Sequence, residues 1–244
     1  MYEFKPKKWI LYPSEAFDSF WCIMSWELAT IVAESNSWKT TFALDLIKRN
    51  AERWMKCLYV NLEFPMETMW QWRRLWLHGK SKNCLTDLET LTKEEQEDMT
   101  RYVSESLNKY KYYSKPNGIE LSKLEQIIEV SAMDGYKLFV IDSFSMIHGN
   151  SGNDARWNQN KCMQELQELA QKLDVAIIVL HHTNRTWTWE WSQKIMDLSN
   201  VMIVISKERD AEWEEYRNYA LIKDKYVNNV DVDVYYHGWK YERF

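Results

Sequence analysis

Glycine is nearly missing from this sequence: 244 residues contain 6. A chain of this length ordinarily carries roughly 17, at ~7%. Cysteine is sparse as well. Cys22, Cys57, Cys84 and Cys162 are scattered without a CxxC pair; Cys57 lies in an apolar run and Cys162 in a helical pattern, which reads as buried thiols in a reducing compartment. No apolar run approaches the ~18 residues of a membrane span, and no signal peptide is visible, so the expectation is a cytoplasmic protein with no membrane partner. Strong charge is also lacking. A net charge of −5 argues against a polybasic nucleic-acid binder, although not against a local basic groove. What the chain has in excess is tryptophan, 14 residues. The two counts together come close to the usual glycine share.

Apolar runs alternate with helical patterns along most of the chain. LATIVA (28–33) reads as a buried strand, followed by a helix from about Lys39 to Arg53. CLYVNLEF (57–64) is the next strand, and a helix starts at Pro65. Residues 79–110 are polar and least defined, with a solvated helix over 92–107. A short strand at 111–114 precedes a helix over 121–135 and the buried strand KLFVID (137–142). An amphipathic helix over 158–174 places Met163, Leu166, Leu169, Ala170 and Leu173 on one face. VAIIVL (175–180), VMIVIS (201–206), YALIKD (219–224) and VDVDVYY (230–236) are further strands. Strands separated by helices predict an α/β fold with a mostly parallel central sheet flanked by helices; the last strands, lacking helices between them, predict an antiparallel C-terminal extension. No repeat or linker-like composition divides the chain.

The segment IVAESNSWKTTFALDLI (31–47) has the layout of a phosphate-binding loop. Set on the pattern G-x-x-x-x-G-K-[ST], it aligns Ala33, Glu34, Ser35, Asn36, Ser37, Trp38, Lys39 and Thr40, followed by Thr41. Such a loop works because backbone N–H groups line a concave turn at a helix N-terminus, where the dipole favours phosphate. The lysine reaches the β- and γ-phosphates, and the threonine hydroxyl holds Mg²⁺. Both glycines of the pattern are absent, so any strand, polar turn and helix with Lys-Thr would fit it equally. Polar residues just past other strands add weight, because ligands of open parallel sheets lie beyond the strands' carboxyl ends. Glu63 follows YVNL, Asp142 follows LFVI, His181 and His182 open HHTNR, and Arg209 with Asp210 follows VMIVISKE. Singly, each is explained by a helix cap or a surface group. The paired histidines have no third ligand at suggestive spacing.

The succession strand–loop–KTT, LYVNLE, LFVIDS, HHTNR, SQKIMDLSNVMIVISKERD and ALIKDK resembles the RecA-like P-loop ATPase core. The resemblance is closest to the ATPase domain of DnaB-type replicative helicases and related phage and plasmid replication ATPases. It covers about residues 18–238, leaving 1–17 as an N-terminal extension of a single domain over 1–244, without the helicases' primase-binding domain. It implies that Lys39 and Thr40 bind phosphate and Mg²⁺, that Glu63 polarises the attacking water, and that Asp142 is the Walker B carboxylate and second Mg²⁺ ligand. His182 falls at a γ-phosphate sensor position, and Arg209 joins the nucleotide site. Lys223 and Lys225 match a basic pair that reaches a neighbouring subunit's nucleotide; the second is usually arginine, whose planar fork lysine lacks. The implied activity is ATP hydrolysis driving a helicase or translocase on single-stranded DNA in replication or repair. Such a protein works as a hexameric ring or filament, with a primase or loader as a further partner. Arg156, Lys161 and Arg185, in the polar stretches 149–160 and 185–193, are the candidate DNA contacts. The alternatives are a nucleotide-free pseudo-ATPase that assembles or loads other components, if Trp38 is literal, and a RecA-like regulatory ATPase or kinase.

The tryptophans bear on that choice. Trp26 stands where the RecA-like core has a turn glycine before its first strand, Trp38 at the loop glycine, and Trp54 where a C′ glycine ends the first helix. Trp187, Trp189 and Trp191 would turn a polar loop into TGTGEGSQ. Trp213 and Trp239 also fall at turns, whereas Trp70 and Trp72 lie in a helical stretch and read as genuine aromatics. One reading of the 187–191 group is a base-stacking platform for single strands. A single cause covers every turn position: UGA codons that mean glycine, translated by a code that reads them as tryptophan.

Overall fold

The computed structural model describes residues 9–17, 22–34, 37–77, 91–148, 155–182, 195–209, 215–223, 230–237 and 240–243. Its centre is β3 (Leu28–Ala33), whose six residues are all buried. The chain then forms α1 (Lys39–Glu52), β4 (Cys57–Asn61), α2 (Met66–Leu77), α3 (Lys93–Lys109) and β5 (Lys111–Ser114), numbered after a two-residue pair, β1 (Trp9–Ile10) and β2 (Ile23–Met24). A second small pair, β6 (Ile119–Glu120) and β8 (Ile147–His148), brackets α4 (Leu121–Met133) and β7 (Leu138–Asp142). After α5 (Ala155–Leu173) come β9 (Ala176–His182), β10 (Val201–Arg209), β11 (Glu215–Lys223), β12 (Val230–His237) and β13 (Lys240–Arg243).

Nine strands form one sheet in the order β13-β12-β11-β10-β3-β9-β7-β4-β5. From β10 to β5 all neighbours are parallel, and β10 to β13 are joined antiparallel. This is the expected α/β architecture. Side chains alternate between the two faces, as the strand period requires. Ile31, Tyr59, Val140 and Ile178 share one core cluster with residues of α1, α2 and α3, and Leu58, Phe139, Ile177 and Val179 share the other with α4 and α5. Among the described residues, no helix is long and apolar enough to cross a membrane.

Several expected boundaries move. The stretch expected as an extension contributes to the core from Ile10 on, since Ile10, Tyr12 and Phe17 are buried. The Phe17 ring meets Phe42 of α1 and Tyr219 of β11 edge-on, at 5.1 and 4.9 Å. β4 stops at Asn61, because the Asn61 carboxamide caps the next turn, accepting the N–H groups of Glu63 and Phe64. Thr92 and Glu95 close a reciprocal capping box at the start of α3, which fixes the helix expected there. Arg156, expected in a loop, lies in the first turn of α5.

Trp26, Trp38 and Trp54 adopt φ of 78°, 62° and 64°. The other positive-φ non-glycine residues among those described, Asn117 and Asp174, belong to the two types that tolerate this region best. Trp26 is the third residue of a tight turn in which the Glu27 N–H donates to the Met24 carbonyl, where a type II turn requires positive φ. α1, α4 and α5 end in the same Schellman arrangement. In α1 the N–H groups of Trp54 and Met55 donate to Ala51 and Asn50; in α4 those of Gly135 and Tyr136 donate to Ala132 and Ser131; in α5 those of Asp174 and Val175 donate to Gln171 and Ala170. Trp54 therefore occupies in α1 the place that Gly135 fills in α4.

Candidate functional site

β3 delivers the loop to the carboxyl edge of the sheet, and α1 carries Lys39 and Thr40 away from it. The stacked rings of Phe42 and Tyr219, 5.1 Å apart, fix the start of α1 against β11. Across the same edge, the turn after β4 presents Glu63, β7 presents Asp142 and β9 presents His181 and His182. Parallel registry places Asn61 opposite Asp142 and Ala33 opposite His182, so these side chains converge from adjoining strands.

Lys39 is buried, and its Nζ has no hydrogen-bond partner among the described residues. Burial pulls its pKa down to about 8, against the attraction of Asp142 and Glu63. Asp142 is buried as well. Its Oδ2 accepts the hydroxyls of Thr40 and Tyr59, both at 2.8 Å, while Oδ1 is buried and unbonded. Burial raises the Asp142 pKa, opposed by Lys39 and those two hydrogen bonds. The Glu63 pKa drops to about 2, chiefly because His182 donates from Nε2 to Glu63 Oε1 at 3.2 Å, with Ser143 and Lys39 assisting against partial burial. His181 is lowered to about 4 by burial, with Lys39 and His182 adding to it; its ring packs edge-on against Phe144 at 5.7 Å. At neutral pH the site thus holds an anionic Glu63 and a neutral His181 around a buried ammonium.

Among the sequence-expected site residues, Lys39, Thr40, Glu63, Asp142 and His182 come together. Ala33 ends β3, Glu34 is exposed, Ser37 is buried, and Thr41 lies in the first turn of α1. Ser35, Asn36, Arg185 and Lys225 lie outside the described residues, as do Trp187, Trp189, Trp191, Trp213 and Trp239. Arg209 ends β10. Lys223, expected to reach another subunit, donates in this single chain to the carbonyls of Met196 and Asp197. Lys161 pairs with Glu165 one turn along α5 at 3.4 Å. Trp38 turns its indole toward β11, where the Arg217 guanidinium lies 4.1 Å from the ring centroid and is 1% exposed. Sequence reasoning passed over Tyr59, Asn61, Ser143 and Arg217. Asn61 and Ser143 were visible as polar residues beside the acidic ones; Tyr59 looked like an ordinary strand aromatic.

The sequence matches the protein family described as AAA domain over residues 3–186. No curated protein matches it. Among solved structures, an ATPase domain is similar with a TM-score of 0.74 at 15% identity, covering 88% of this chain and 84% of that one. A DnaB-like replicative helicase, studied with its interactions with primase, is similar with a TM-score of 0.75 at 13% identity, covering 89% of this chain. The present chain spans 57% of that helicase's length. At these identities the two likenesses establish the RecA-like P-loop fold.

Proposed function

The chain belongs to the AAA domain family, and from that premise we propose that it hydrolyses ATP as a helicase- or translocase-type motor on single-stranded DNA in replication or repair. The observation that carries this reading is a pair of buried orphans, Lys39 Nζ and Asp142 Oδ1. A buried ammonium nitrogen and a buried carboxylate oxygen, each without a hydrogen-bond partner among the described residues, are completed by a phosphate and a divalent metal. Lys39 takes phosphate oxygens, and Thr40 and Asp142 hold Mg²⁺. When bound, that ion neutralises charge on the transferring phosphoryl group.

Glu63 acts by orienting water. With a pKa of about 2 it is a poor proton acceptor at neutral pH, which suits a loose phosphoryl-transfer transition state that asks mainly for positioning. His182 holds Glu63 ionised and, at the sheet edge beside it, serves as the sensor of the terminal phosphate. The single domain over 1–244 works in the cytoplasm as a hexameric ring or filament, with a primase or loader as partner. DNA is met by Arg156, Lys161 and Arg185, and Lys223 and Lys225 act across the subunit interface once Lys223 leaves its own-chain carbonyls.

The working protein in this reading carries glycine at 26, 38 and 54. Three positive φ values at the named positions support it, because an indole at φ near 60° is strained where glycine is not. The coding DNA tests this directly: UGG codons at those positions end the idea. The functional test compares ATP hydrolysis, with and without single-stranded DNA, by Trp38→Gly and by Trp38→Gly with Lys39→Ala. Hydrolysis in the first alone is the expected result, and equal rates sink the motor reading. A second reading, a nucleotide-free assembly or loading module, is favoured by the Arg217–Trp38 packing, which holds the indole in place. It predicts no nucleotide binding and a gene with UGG at 38. A regulatory ATPase or kinase on the same fold would hydrolyse ATP without response to DNA.

A further inference from the structure

Tyr59 departs from its surroundings. It stands on β4 in the core cluster beneath α1, among Ile31, Cys57, Leu138, Val140 and Ile178, and is 0% exposed. Its phenol spans to the carboxyl end of β7 and donates to Asp142 Oδ2 at 2.8 Å. That oxygen also takes the Thr40 hydroxyl, so both protein donors lie on Oδ2 and none on Oδ1. A carboxylate with one oxygen held by two hydroxyls cannot rotate without breaking both bonds. The unbonded oxygen is thereby fixed as well, in the field of Lys39, whose buried Nζ also lacks a hydrogen-bond partner among the described residues.

We propose that Tyr59 is a positioning residue for divalent-metal binding: its hydroxyl fixes the Asp142 carboxylate so that Oδ1 is presented to Mg²⁺. This rests on the ATPase reading of the site and adds a residue to it. Apolar packing alone does not account for a phenol here, because phenylalanine fills the same volume without bringing a hydroxyl into the core, which must then be satisfied. The hydroxyl matters for the metal because a charge-assisted hydrogen bond keeps a desolvated carboxylate in one orientation. Thr40 alone leaves it free to swing about the remaining contact.

The test is Mn²⁺ binding, followed by electron paramagnetic resonance, to the full chain with Trp38→Gly in the presence of ADP. Tyr59→Phe removes only the hydroxyl and should weaken Mn²⁺ binding about ten-fold, as expected for loss of a hydrogen bond to a charged group. ADP affinity without metal should not change. Thermal unfolding with and without Mn²⁺·ADP provides the second reading: a purely structural Tyr59 lowers the midpoint in both states and leaves the metal-induced rise intact. Equal Mn²⁺ affinity with and without the Tyr59 hydroxyl overturns the proposal. Asp142→Asn distinguishes the levels. If it too binds Mn²⁺ normally, the ATPase reading of the site fails; if it loses Mn²⁺ while Tyr59→Phe keeps it, only the role of Tyr59 fails.

Discussion

Trp54 isolates a backbone effect because its side chain touches almost nothing: it is 93% exposed, at φ 64°. Replacing it with glycine removes strain and loses little packing, so Trp54→Gly should stabilise the protein by about 1 kcal/mol, or ~2–4 °C in the melting temperature. Trp70 is the counter-case. It is buried in α2 against Tyr102 and Tyr110, and Trp70→Gly should cost at least about 3 kcal/mol. Opposite signs in a thermal melt would mark the two tryptophans as different kinds of position, and destabilisation by both would remove the strain argument. The sequence separated these classes because turn glycines recur at recognisable places: before a strand, after a helix and inside the loop. It did not separate Tyr59 from its apolar neighbours, since a strand pattern records which face a ring is on and not what its hydroxyl meets.

At the scale of the element, the start of α1 stores a charge at a cost. Lys39 sits at about pKa 8 because burial disfavours the ammonium. In the unfolded chain the group holds its proton up to about 10.5, so stability should rise with pH through that interval. Phosphate reverses the penalty. Nucleotide binding to the Trp38→Gly protein at pH 8, where about half of the Lys39 side chains are deprotonated, should therefore take up about half a proton, read by calorimetry in two buffers of different ionisation heat. Proton release, or none, would mean that the nucleotide is not seated on Lys39. The long helices and the buried strands were legible because their periodicity is strong. β1, β2, β6 and β8 were not, since two residues carry no period. β11 begins at Glu215 instead of near Tyr219 because pairing with β10 extends it through residues that are not apolar. Arg156 was assigned to a loop because polar residues precede the apolar stripe of α5.

The whole molecule should be acid-sensitive in two joined steps. The unfolded chain protonates His181 below about 6.5 and the native one only near 4, so stability falls as pH drops through that window, by up to about 3 kcal/mol. Glu63 follows: its depressed pKa contributes stability that is full above 4.5 and lost as pH falls toward 2. Urea unfolding at pH 7, 5.5 and 4.5 should show the first step, and His181→Asn should flatten it. The alternation of strands and helices made the parallel sheet legible, but not the order of its strands, which depends on contacts between distant segments. That order has a kinetic consequence. β3 lies between β9 and β10, the Ser25 hydroxyl donates to Asp174, 149 residues on, and the Leu28 N–H donates to the Asn200 side chain, 172 residues on. During synthesis, LATIVA must wait for most of the chain before either neighbour exists, on the order of ten seconds at ribosomal rates. Until then it is an apolar strand with two open edges, so folding should be slow and aggregation should compete chiefly in nascent chains that stop short of β10.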